Sequence, residues 1–377
     1  MTTRFVTRAL CGLLAWSLLA VGCASAKPAA PAAPPDKPAA APDTARPAQA
    51  AAPATAPPAA RQKVRYGDLK LLADAGIYIA IDEGYFAEQG IDLDLVSFDS
   101  AANMVAPLAT NQLEAGGGSP SAGLYNALRN GVNVRIVADK GHSDPTPPGF
   151  PVANYVVRKA LVDSGQVKGI ADLKGLRFAV PAVGISPELD SNALLKEGGL
   201  TLKDMDIVVM GFPDLIPAFA NNNVDLAHPP EPFATLIVNA GTGVVMKRDY
   251  EVHPYHQVAV LLYSPEFSQS ELGTRFMLAY LKGVRLYDDA YLKNEPSARE
   301  KAVSAMVQHT PVKDRALYDK MALAALDPDG RMNLQSFDEQ QDYFLASGTQ
   351  QGRVDLQGFI DLQHAETAAR QLGPYPR

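Results

Sequence analysis

The chain is 377 residues long, 47% apolar and 20% charged, with a formal net charge of −7. Arg4 and Arg8 carry +2 and residues 23–61 a further +2, so residues 62–377 carry −11, which argues against a nucleic-acid partner, since basic stripes supply most of that affinity. The two cysteines, Cys11 and Cys23, both lie near the N-terminus and leave the rest of the chain without a disulfide in any redox compartment.

The chain opens with a basic segment, Arg4 and Arg8, followed by thirteen residues of apolar character from Ala9 to Val21 and then Gly22-Cys23. A charged start, an apolar middle and small residues before a processing point are what a secretory signal requires, and this run falls short of the ~20 residues that span a bilayer. The ending Leu19-Ala20-Val21-Gly22-Cys23 resembles the lipobox of bacterial lipoproteins. That resemblance implies a signal peptide over residues 1–22, lipidation of Cys23, and an extracytoplasmic protein anchored to a membrane by its acyl chains. Residues 24–61 hold eighteen alanines, ten prolines and no aromatic residue. Prolines this frequent forbid a continuous helix, so residues 23–61 read as the lipid attachment and a tether.

From residue 62 onward, short β-rich runs alternate with helical patterns, the signature of an α/β fold with an open, mostly parallel sheet. Strands are predicted over Val64–Leu69, Ile91–Val96, Val134–Ala138, Tyr155–Arg158, Leu176–Val180, Asp206–Met210, Gly243–Lys247 and Val258–Tyr263. Asp163–Lys174 is polar and reads as a loop with a short helical turn. After Ser270 the pattern turns helical, with amphipathic helices predicted over Leu272–Tyr291, Ser297–Gln308 and Lys313–Leu326 and a polar C-terminal region beyond.

Two segments share a local design. Gly116-Gly117-Gly118-Ser119-Pro120-Ser121 and Gly184-Ile185-Ser186-Pro187 each lead from a strand into a helical run, with a serine placed to cap it and a proline placed at its first position. Ligands of open α/β sheets bind outside the carboxyl ends of the strands, where helix starts present free N–H groups. Two such starts predict a site shared between facing lobes.

From Arg65 the order of motifs is similar to the NMT1/THI5-like, or SsuA-like, substrate-binding proteins of ABC transporters. The motifs are Asp82-Glu83-Gly84-Tyr85-Phe86 with Gly90-Ile91-Asp92-Leu93, Gln112 to Gly118, Asp172-Leu173-Lys174-Gly175, Asn222-Asn223-Val224-Asp225, and Pro230-Glu231-Pro232-Phe233. Asn222 stands where the family usually has glycine. The resemblance implies a type II periplasmic-binding-protein fold, with two lobes joined by two crossings and hinge closure over the ligand. It places residues 62–140 and 259–377 in the first lobe, the latter with a helical extension, and 141–258 in the second. It also implies a small-molecule ligand, ABC permease and ATPase subunits as partners, a monomer, and no catalytic step.

On that reading Asp74, Ala75, Tyr78, Gly118, Ser119 and Ser121 line the pocket from the first lobe. Ser186, Glu188, Phe212, Asp214, Glu231 and Tyr255 line it from the second. Glu188 and Asp190 would oppose an anion, so the residues favour a neutral or cationic planar ligand, of the pyrimidine or flavin-type vitamin-precursor kind, over an alkanesulfonate such as taurine. An exported α/β enzyme is the rival class, but Ser121 lacks the first glycine of a nucleophile elbow. His253 and His256 are spaced to share a metal, yet Pro254 between them favours solvent or a pocket wall. Neither a cofactor nor a metal is expected.

Overall fold

The computed structural model describes residues 60–146 and 148–376. The signal segment, Cys23 and nearly all of the tether lie outside the described residues. Among the described residues no helix is long and apolar enough to cross a membrane.

A first sheet is laid down by β1 (Gln62–Asp68), β2 (Ile91–Ser97), β3 (Ala115–Gly118) and β4 (Arg135–His142), with α1 (Ala75–Asp82), α2 (Tyr85–Glu88), α3 (Val105–Ala109) and α4 (Ala122–Arg129) between them. The chain then crosses to a second sheet. There it forms β5 (Asn154–Arg158), α5 (Lys159–Asp163), β6 (Arg177–Val180), α6 (Pro187–Glu197), β7 (Asp206–Val209), α7 (Phe212–Ala220), β8 (Leu226–Ala227), α8 (Phe233–Asn239) and β9 (Gly243–Arg248). β10 (Gln257–Tyr263) returns to the first sheet, followed by α9 (Glu271–Tyr291), α10 (Pro296–His309), α11 (Leu334–Ser347) and α12 (Gln363–Leu372).

The strand orders are β2-β1-β3-β10-β4 and β7-β6-β8-β5-β9. In each sheet four strands run one way and one runs against them. β10 is antiparallel to β3 and β4, β5 is antiparallel to β8 and β9, and the remaining pairings are parallel. In both sheets the reversed strand is the one that has just arrived from the other sheet.

Strand periodicity decides which core each side chain joins. β10 sends Leu261 and Tyr263 into the cluster under α1, α9 and α12, and Val260 and Leu262 into the cluster with Tyr125 and Phe344 on the opposite face. β5 divides likewise, Tyr155 and Val157 to one face and Val156 to the other. Sheets covered on both faces need such apolar runs. α9 crosses α1 closely because Gly283 lacks a side chain, since a Cβ there would lie 2.0 Å from the Gly76 carbonyl oxygen.

All eight predicted strands form, within a residue or two except that β4 runs on to His142. The C-terminal prediction needs correction. Lys313–Leu326 is a 3₁₀ turn over Arg315–Asp319 followed by irregular chain, because its backbone bonds elsewhere: Ala322 N–H to Glu231 and the Ala325 carbonyl to His142 N–H. The polar region beyond folds into α11 and α12. Asn222 adopts φ 55°, a left-handed conformation that asparagine tolerates better than other side-chain-bearing residues, which accounts for its stand-in for glycine.

Candidate functional site

A cavity of about 710 Å³ lies between the two sheets. The first sheet contributes Leu69, Gly117, Gly118 and Lys140, the second contributes Val180, Ile185, Glu188 and Phe212, and α11 adds Tyr343 and Ser347. Most of this lining is apolar. Lys196 and Lys203 stand on its exposed rim.

Its floor is a buried charge network. Lys140 is 1% exposed, and its Nζ lies 2.8 Å from Asp74 Oδ1. The same oxygen accepts from Tyr66 Oη at 2.8 Å, while Asp74 Oδ2 has no hydrogen-bond partner. Behind the pair, Asp68 accepts from Tyr78 Oη at 2.6 Å and from Lys70 N–H at 3.0 Å. Burial and the Asp74 charge push Asp68 up to about 6. The lysine fits because position 117 is glycine: a Cβ there would sit 2.3 Å from Lys140 Cε.

The second sheet presents little charge. His228 lies on the cavity wall, stacked on Tyr155 with ring centroids 4.0 Å apart and planes 3° apart. Both of its ring nitrogens are buried without partners, and burial pulls its pKa down to about 4, so the ring is neutral at pH 7. Glu188 accepts from Gly184 N–H at 2.7 Å, and burial raises its pKa.

The two helix starts meet each other across the cleft. Ala122 N–H donates to Gly184 O at 2.8 Å and Ser186 N–H to Pro120 O at 3.0 Å, so a two-rung bridge joins the lobes there. Ser121 caps α4, accepting from Leu124 N–H at 3.1 Å. Ser186 makes no cap. Its Oγ lies 2.9 Å from His256 Nε2, whose Nδ1 lies 2.7 Å from Asp190 Oδ2. His253 Nδ1 reaches Asp190 Oδ1 at 3.0 Å, and the two imidazoles stack with centroids 4.7 Å apart and planes 14° apart. Burial alone would raise the pKa of Asp190, but the two histidines hold it below the usual carboxylate range.

This cluster corrects the expectation for the histidines, since His256 is 1% exposed and off the cavity wall. Three ligand-type atoms of Asp190, His253 and His256 fall within 4.8 Å of one another. Side-by-side rings, however, aim their in-plane lone pairs in parallel instead of at one point, the arrangement of two imidazoles bonded to one carboxylate. Ser186, His256 and Asp190 also have the spacing of a hydrolytic triad. Against that, Ser186 Oγ is fully buried, and His256 Nε2 is shared with the Gln340 amide at 3.0 Å.

The expected site residues divide into groups. Gly118, Ser119, Glu188 and Phe212 are on the cavity wall. Asp74, Ala75 and Tyr78 are buried behind it, with Asp74 acting through Lys140. Ser121 and Ser186 are likewise behind the wall, in the bridge between lobes. Glu231 is buried and its oxygens are taken by Thr235 N–H, Thr235 Oγ1 and Ala322 N–H at 3.0 to 3.2 Å, so it fastens α8 to the 322 loop and has no oxygen turned to the cavity. Asp214 is exposed on α7, and Tyr255 is 53% exposed on the second crossing; neither lines the cavity. Sequence reasoning missed Lys140 and His228. The signal for Lys140 was an Asp139-Lys140 pair at the end of an apolar run, but the predicted strand ended at Ala138, two residues short of the lysine.

The family model described as NMT1/THI5 like matches residues 73–287. Curated relatives from Brucella abortus and Brucella suis, provisionally described as binding proteins, are 26% identical over 149 residues. That alignment takes in 40% of this chain and 41% of theirs, so the match spans about two-fifths of the relatives' length. Among solved structures, the ligand-binding component of an ABC-type import system from Staphylococcus aureus, with zinc bound, superposes with a TM-score of 0.67 at 15% identity, over 82% of this chain and 100% of that one. The alkanesulfonate-binding protein SsuA from Xanthomonas axonopodis pv. citri, bound to MOPS, gives 0.62 at 18% identity, over 78% and 97%. The desulfurization enzyme DSZB gives 0.57 at 15% identity, over 83% and 100%. At these identities the likeness is one of fold.

Proposed function

The chain belongs to the NMT1/THI5-like family, and on that premise we propose that it is an extracytoplasmic solute receptor that hands a small organic ligand to an ABC importer, without a catalytic step. Cys23, lipidated, tethers it to the membrane, and the Ala/Pro segment gives the folded part reach toward the permease. The ligand is neutral or cationic, planar and polar, of the pyrimidine or flavin-type vitamin-precursor kind.

One observation carries the choice of ligand: Lys140, the only lysine or arginine buried among the described residues, is already matched by Asp74, with Asp68 behind it. An anion entering the cavity would find no uncompensated cation at the floor and a carboxyl, Glu188, on the wall. A bare oxyanion bound there would lose its hydration without a charge in return. Size supports the same reading. Cavities of roughly 300–1,000 Å³ suit drug-sized molecules, and 710 Å³ falls within that range, far more room than a small inorganic anion or taurine fills. Apolar walls around a few polar groups suit a flat heterocycle whose faces pack on Phe212 and Ile185 while its edge meets the unspent N–H donors of Lys140.

The alkanesulfonate reading draws on the SsuA relatives and on Lys196 and Lys203 at the rim, where a sulfonate could stay partly solvated. Native mass spectrometry of the freshly purified protein separates the two. A co-purified heterocycle of neutral or positive charge is expected. A co-purified sulfonate would leave the receptor reading intact and overturn the ligand class.

A further inference from the structure

α11 belongs by sequence to the C-terminal extension, yet one face of it is built into the cleft. Ser336, Gln340, Tyr343 and Ser347 recur at helical spacing on that face. The upper pair, Tyr343 and Ser347, lines the cavity. The lower pair is fully buried against the second crossing: Ser336 Oγ accepts from Gln257 N–H at 3.0 Å, and Gln340 Nε2 donates to Gln257 O at 2.9 Å and to His256 Nε2 at 3.0 Å.

The helix is fixed to the first lobe. Tyr125 Oη on α4 donates to Gln340 Oε1 at 3.1 Å, Asn126 Nδ2 donates to Thr349 O at 3.0 Å, and Phe344 is buried in the same cluster as Tyr125 and Leu128. His256 carries the connection onward to the second lobe, through Ser186 Oγ at 2.9 Å and Asp190 at 2.7 Å, both at the start of α6. The continuous path α4, Gln340, His256, Ser186 therefore runs from one lobe to the other beside the two-rung backbone bridge of residues 120–122 and 184–186. Every side chain on it is buried, where hydrogen bonds are strong and a broken one is costly.

We propose that α11 is the clasp of the cleft: through Gln340 and His256 it holds the start of α6 against the first lobe, while Tyr343 and Ser347 place the same helix in contact with whatever fills the cavity. Ligand occupancy and lobe closure are then read by one rigid element. The clasp does not depend on what the ligand is, nor on the receptor reading, and its test needs no ligand.

The test is hydrogen exchange on the full chain, resolved to the amides of Ala122 and Ser186, which span the lobes, with amides of β1 and β6 as internal references. In Gln340→Leu the two spanning amides are expected to exchange at least tenfold faster than in wild type, with the reference strands unchanged. Wild-type protection at Ala122 and Ser186, or a rise shared equally by β1 and β6, overturns the proposal. Should Gln340→Leu fail to fold, Ser186→Ala cuts the path at its other end without touching α11. The same selective rise is expected there, and its absence counts equally against the clasp.

Discussion

The first lobe floors the cavity with a buried ion pair, Lys140 on Asp74 with Asp68 and two tyrosines behind, whereas the second meets it mainly with Val180, Ile185, Phe212 and an uncharged His228, its charged groups being Glu188 on the wall and Lys196 and Lys203 on the rim. Both faces hang on one strand order and on sheets with one reversed strand each. The difference therefore comes from what stands at strand ends. In the first lobe Gly117 of β3 makes room for Lys140 to lie across it, and in the second His228, stacked on Tyr155, presents a flat ring to the cavity. A shared backbone plan thus yields one jaw floored by a buried ion pair and one lined mainly by apolar side chains and flat rings.

The largest expected effect strikes the jaw with the ion pair. Lys140→Met leaves Asp74 buried without its cation and should cost about 3–5 kcal/mol, read from urea unfolding. Pairing it with Asp74→Asn removes the orphaned charge and should restore most of the loss. A single-mutant cost below about 1 kcal/mol would show that the ion pair does not hold the floor.

The two jaws should also answer acid with opposite signs. Asp68 has a folded pKa of about 6, above its ordinary value, so its contribution is fully present below about pH 4 and is lost as pH rises through 6. His228 has a folded pKa of about 4, below its ordinary value, so its contribution is present above about pH 6.5 and is lost as pH falls toward 4. Each shift of about two units corresponds to roughly 3 kcal/mol. Asp68→Asn should therefore make stability fall more steeply between pH 6.5 and 4, and His228→Phe should flatten it. Unfolding titrations across that window check both, and parallel profiles for the two variants would contradict the contrast.

A smaller effect comes from two glycines six residues apart. Gly117→Ala drives a methyl into Lys140 and should cost about 1–3 kcal/mol. Gly123→Ala, in α4, meets its nearest atom at 3.9 Å and should stabilise by about 0.5–1 kcal/mol through helix propensity. Thermal melts of the pair test whether the lysine, and not backbone freedom, dictates glycine at 117. Smallest of all, Asp214→Asn on the exposed face of α7 should shift stability by less than about 0.5 kcal/mol.

Sequence patterning was most informative where apolar runs were long. β10 and β5 were plain because strands buried on both faces need continuous apolar residues. β3, written Ala-Gly-Gly-Gly, and the two-residue β8 carry no such run, and only the family resemblance pointed to them. On the cavity wall, Gly118, Ser119, Glu188 and Phe212 were expected at strand ends under the family resemblance. Lys140 did not, because lysine is seldom buried and nothing local announces that Asp74, 66 positions earlier, will neutralise it. The clasp was equally hidden, since Gln340 reaches His256 across 84 positions.

We propose that this cleft takes a neutral or cationic planar organic molecule. Isothermal titration at pH 7 with a thiamine-type aminopyrimidine, riboflavin and taurine, at matched concentrations, addresses it most directly. Saturable heat is expected from at least one heterocycle and none from taurine. Saturable binding of taurine alone would contradict that proposal.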